Sequence, residues 1–67
     1  MNIQDLVKLK LALENFLQDK VSEDDIIILK QHGYIQTIPN GHELQIIYPD
    51  KQDIKNVLEI IKFKLGV

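Results

Sequence analysis

The chain has 67 residues, a net charge of -2 and no cysteine. Its length leaves room for one domain, residues 1-67, and a domain this small buries only about 60% of the surface its unfolded chain exposes. Without cysteine it has neither disulfides nor thiolate metal sites, as a reducing interior allows. The opening Met1-Asn2-Ile3-Gln4-Asp5 carries no charged segment before an apolar block, and the longest apolar run is Ile26 to Leu29. These features predict no signal peptide, no membrane span and a cytoplasmic location.

Eleven Ile, nine Leu and four Val make up more than a third of the chain, beside two Phe, two Tyr and no Trp. One small core has difficulty hiding so many aliphatic side chains, so some are expected to meet a partner protein or a second copy. All eight basic residues are Lys. The absence of Arg removes the bidentate contacts to guanine, which weakens the case for a nucleic-acid partner.

In chain order, the first element runs from Asn2 to about Lys20. Ile3, Leu6, Leu9, Leu13, Phe16 and Leu17 recur at three- and four-residue steps, with Gln4, Asp5, Lys8, Asn15 and Asp19 opposite. That spacing predicts an amphipathic helix. Val7 and Leu11 widen its apolar arc beyond what one packing surface needs.

Ser22, followed by Glu23, Asp24 and Asp25, reads as a second helix start, with Asp25 three residues on completing a capping box. A short helix from Glu23 to about Gln31 follows. Four aliphatics in a row, Ile26 to Leu29, also fit a strand, but the cap chemistry favours helix, and Gly33 is placed to end it. Next, Tyr34 to Ile38 and Glu43 to Tyr48 are β-prone runs around Pro39-Asn40-Gly41-His42. Asn-Gly favours a two-residue turn at Asn40 and Gly41, which would pair Ile35 with Ile46, Thr37 with Leu44 and Tyr34 with Ile47. A lone hairpin is marginal in water, so it is expected to lie on the helices. Pro49-Asp50 then opens a last helix with the stripe Ile54, Val57, Leu58, Ile61 and Leu65; Ile60 and Phe63 fall outside the stripe, and Gly66 ends the helix. The predicted fold is a single α+β domain in the order α-α-β-β-α, packed on one core.

Catalytic constellations are missing. Ser22 reads as a cap, Thr37 lies mid-strand, and His32 and His42 are ten residues apart with no Cys or further His beside them. The acids 23 to 25 lack the spacing and the Gly of a calcium loop. No glycine-rich phosphate loop exists. The chain is therefore expected to be no enzyme and to use no cofactor, metal or small-molecule substrate. The last helix carries Lys51, Lys55, Lys62 and Lys64, but Asp53 and Glu59 dilute its charge, so a solvated face accounts for it better than a membrane surface.

The segment Leu29-Lys30-Gln31-His32-Gly33-Tyr34-Ile35, then Ile38-Pro39-Asn40-Gly41 and Leu44-Gln45-Ile46, resembles the passage from recognition helix to wing in winged-helix DNA-binding proteins. The resemblance covers about 18 residues. It implies a transcriptional regulator whose second helix enters the major groove, with Lys30, Gln31, Asn40 and His42 touching DNA. The reading favoured over it is a protein-protein interaction module, a small accessory regulator or inhibitor that binds a larger protein, forms a homodimer, or both. Val7 and Leu11 on the first helix, with Ile60 and Phe63 on the last, are its candidate contacts. By analogy alone, this size and make-up suit a protein of phage or mobile-element origin.

Overall fold

A computed structural model describes residues 2-66. Helix α1 spans Ile3–Leu17, α2 Glu23–Gln31 and α3 Lys51–Leu65, with strands β1 Gln36–Asn40 and β2 Glu43–Ile47 between the second and third helices. The fold is the α-α-β-β-α mixed domain that the sequence predicts.

Local chemistry sets each boundary. Asn2 caps α1 by accepting from the Asp5 N–H at 2.8 Å, and Asp50 caps α3 by accepting from the Gln52 N–H at 2.8 Å. α1 stops at Leu17, short of the expected Lys20. Asp19 takes φ +58°, and the N–H groups of Asp19 and Lys20 return to the carbonyls of Phe16 and Asn15. α2 ends the same way at Gly33, φ +80°, with Gly33 N–H on Lys30 O and Tyr34 N–H on Leu29 O. Both are Schellman closures, one on a glycine and one on an aspartate. The four-aliphatic run Ile26 to Leu29 is helical, because the capping box at Ser22 fixes its first turn.

Helix α1 is the hub of the core. It packs on both α2 and α3, which make no comparable contact with each other. Leu9, Ala12, Leu13 and Phe16 of α1 are buried with Leu29 of α2 and Ile54, Leu58 and Ile61 of α3; Ile35, just before β1, completes the cluster. Val57 and Leu65 pack half-buried around it, so the whole predicted α3 stripe faces the core. Ile3, expected in the α1 stripe, is exposed instead, and Ala12 is fully buried in the core cluster.

The hairpin departs from expectation in two ways. Its register is Gln36↔Ile47, Thr37↔Ile46, Ile38↔Gln45, Pro39↔Leu44 and Asn40↔Glu43. The two turn residues are therefore Gly41 and His42, not Asn40 and Gly41. Gly41 has φ +69° and neither Asn40 nor His42 has positive φ. That is the type II′ pattern, with glycine at the first turn position, whereas an Asn-Gly type I′ turn needs positive φ at both. Each β1 residue thus pairs two positions further along β2 than predicted, an even shift that leaves every side chain on its predicted face.

The second departure is placement. Every residue of both strands is exposed, so the hairpin does not lie on the helices. It is held only at its base, by buried Ile35 on entry and by Tyr48 against Phe16 on exit. The molecule is accordingly elongated, 45 × 23 × 18 Å, with a radius of gyration of 12.7 Å, against about 11 Å for a compact chain of this length.

Candidate functional site

The predicted contact residues all reach solvent. Val7 and Leu11 lie one turn apart on α1, on the side turned away from the buried Leu9, Ala12, Leu13 and Phe16. On α3, Phe63 lies about 180° around the helix from the middle of the Ile54, Leu58 and Ile61 stripe and is 86% exposed; Ile60 is its exposed neighbour one turn back. These four form two apolar strips on the outer faces of two packed helices.

A third apolar surface went unrecognised in the sequence. The register sends Thr37, Pro39, Leu44 and Ile46 to one face of the hairpin and Gln36, Ile38, Gln45 and Ile47 to the other. Leu44 is 70% exposed, and Ile38, Ile46 and Ile47 are each exposed by 40% or more. With both faces partly apolar and neither covered, the arm presents aliphatic side chains in two directions. The expectation that a hairpin needs a covering layer placed it on the helices, and no local feature of β1 or β2 signals that their apolar side chains stay uncovered.

The residues implicated by the winged-helix resemblance are also exposed, but at separate places. Lys30 and Gln31 occupy the last turn of α2, and Asn40 and His42 the hairpin tip. The four residue-to-residue steps of extended strand from Gln36 to Asn40 span roughly 13 Å. Between Gln36 and Ile47 the only charged residue is Glu43, and the exposed first turn of α2 carries Glu23 and Asp24.

Asp25 is the one buried ionisable side chain among the described residues, 9% exposed. Its Oδ2 accepts from the Ser22 N–H at 3.1 Å and from Asn15 Nδ2 at 3.0 Å, while its own N–H donates to Ser22 Oγ at 3.3 Å. Burial pushes its carboxyl up, but the hydrogen bonds from the Ser22 backbone, Asn15 and the Ser22 hydroxyl outweigh it and hold it below the ordinary carboxylate value. Beyond capping α2, Asp25 ties α2 to α1. The sequence signalled the cap, not the link to Asn15.

A groove between α1 and α2 is lined by Asp5, Lys8, Asp24, Gln31 and His32 with Ile27 and Ile28. Its charges are of both signs, and no set of three metal-ligating side chains occurs among the described residues. No helix there is long and apolar enough to cross a membrane. Compared with protein-family models, with curated proteins and with solved structures, the chain matches none.

Proposed function

We propose that this chain is a non-enzymatic protein-protein interaction module of the cytoplasm, an accessory regulator or inhibitor that docks on a larger protein and self-associates. The observation that carries the reading is the amount of apolar surface left outside the core. Ile3, Val7 and Leu11 on α1, Ile60 and Phe63 on α3 and four aliphatics on the hairpin all reach solvent, more than isolated surface residues account for. Large apolar and aromatic side chains at the centre of an interface carry most of its binding energy, and Phe63 is such an anchor.

A second reading has one observation in its favour. Helix α2, its closure at Gly33 and the projecting hairpin follow one another as recognition helix and wing do. Charge argues against it. A phosphate backbone demands several cations on one face, whereas the arm carries none and α2 offers Lys30 against Glu23 and Asp24.

The test is affinity capture from host lysate with the wild-type chain and with the Ile60→Ser/Phe63→Ser double variant, with and without nuclease, at low and moderate salt. One protein held near stoichiometrically by the wild type after nuclease, and released by the variant, supports the module. Nucleic acid held at low salt and lost at moderate salt, with no protein surviving nuclease, replaces it with the winged-helix reading.

A further inference from the structure

Resting on the interaction-module reading, we infer that the open edge of β2 pairs with the same edge of a second copy, joining two hairpins into a four-stranded antiparallel sheet across a two-fold axis at Gln45. The argument starts from the turn. A two-residue loop makes Asn40 and Glu43 the hydrogen-bonded closing pair, so alternation makes Pro39↔Leu44 and Thr37↔Ile46 the non-hydrogen-bonded pairs. The backbone groups of those four residues point outward, Thr37 and Pro39 along the β1 edge and Leu44 and Ile46 along the β2 edge.

The two edges are not equivalent. Pro39 has no N–H to donate, the device by which edge strands are commonly blunted. β2 has no proline, no lysine and no covering segment among the described residues, and its one charge, Glu43, lies at its end. Both outward residues of β2 are apolar and exposed.

The strand is also complementary to itself. Antiparallel pairing about Gln45 overlaps all five residues, Glu43 with Ile47, Leu44 with Ile46 and Gln45 with Gln45 of the second copy. The outward amides and carbonyls of Leu44 and Ile46 then form two hydrogen-bonded pairs, and their side chains meet on one face. The two Gln45 side chains face each other on the opposite face, where amides can hydrogen-bond. The two Glu43 carboxylates fall at opposite ends, so like charges do not oppose. Edge pairing of two five-residue strands is a small contact beside the standard interface of about 1,600 Å², so the dimer is a weak one that fills as concentration rises.

The experiment is sedimentation velocity from about 1 μM to 1 mM on the full chain, with backbone hydrogen exchange read at both ends of the range. The wild type is expected to double in mass with concentration, and the Leu44 and Ile46 amides to slow while the amides of Ile38 and Gln45, already inside the hairpin, change less. Ile46→Pro removes the outward donor as Pro39 does on β1, and Leu44→Lys keeps the donor but adds charge. Both should stay monomeric with unchanged helical circular dichroism, and Ile60→Ser/Phe63→Ser should still dimerise. A wild type that is monomeric at 1 mM, or a dimer that survives both β2 variants and is lost with Phe63, overturns the edge pairing. In either case capture of a partner by the wild type, sensitive to Phe63, leaves the module reading standing.

Discussion

The ring of Tyr48 stacks on that of Phe16, centroids 6.3 Å apart and planes inclined by 25°. Phe16 belongs to the core, while Tyr48 is the last residue before Pro49 and α3. The stack fastens the exit of the hairpin, as buried Ile35 fastens its entry. An offset aromatic pair contributes about 0.5–1.5 kcal/mol beyond the area it covers. Tyr48→Ala is expected to cost about 1 kcal/mol, lowering Tm by roughly 4–8 °C in a domain of this size. Hydrogen exchange should show the loss concentrated in the hairpin amides; an even rise across all three helices would contradict the role of the stack.

Two isoleucines three residues apart test how far the core extends along the arm. Ile35 is 3% exposed within the core cluster, whereas Ile38 is 44% exposed on the strand. Ile35→Ala should cost about 2–4 kcal/mol, as buried isoleucines do, and Ile38→Ala under about 1 kcal/mol. Urea denaturation of both variants decides it, and equal losses would mean that the strands pack on the helices after all.

Asp25 makes stability depend on acid. Its folded carboxyl is held below the ordinary value of about 3.9, so its contribution is full above that pH and is lost as pH falls through the folded pKa. Asp25→Asn removes the charge behind the hydrogen bonds from Ser22 and Asn15, and should cost about 1–2 kcal/mol at neutral pH. The stability gap between wild type and variant should narrow as pH falls below the ordinary carboxylate value and through the lowered folded pKa. A gap that stays constant through that window would show that the carboxyl is not depressed.

Asp19 adopts the left-handed backbone that closes α1, φ +58°, a conformation costing a non-glycine residue about 1 kcal/mol. Its carboxylate also meets Lys51 Nζ at 3.1 Å, but both side chains are largely exposed, and such pairs contribute little. Asp19→Gly should therefore raise stability by up to about 1 kcal/mol, seen as a higher Tm. A fall in Tm would mean that the tie to Lys51 outweighs the backbone relief, and Lys51→Ala alone would then reproduce it.

The helices were legible because their signals are local. Ser22 with Asp25, Asp50 ahead of Asp53, and glycines at 33 and 66 mark ends that depend on residues within one turn. The outward positions of Val7, Leu11, Ile60 and Phe63 follow from helical periodicity alone. The hairpin was legible as a pair of strands but not in its register. Asn40 and Gly41 satisfy one turn type and Gly41 and His42 another, and the six-residue neighbourhood does not separate them. Its exposure was hidden for a different reason. Whether an apolar strand is covered depends on where the helices finish, and nothing in residues 36 to 47 carries that information. Ala12 shows the same limit inside α1, since its full burial in the core cluster depends on how the other helices pack on α1 and not on its own side chain.

With α1 in contact with both other helices, the order in which the chain can assemble is constrained. α1 and α2 are joined by five residues, so their docking closes a short loop at little entropic cost. α3 reaches the same helix only after the nineteen residues between Gln31 and Lys51, hairpin included, have been gathered in. The transition state for folding should then resemble the α1–α2 pair, with α3 docking on the downhill side. Substitutions at Leu29 would slow folding, while those at Ile54, Leu58 and Ile61 would chiefly hasten unfolding. The lifetime of the native state is on that account set by the helix that docks last.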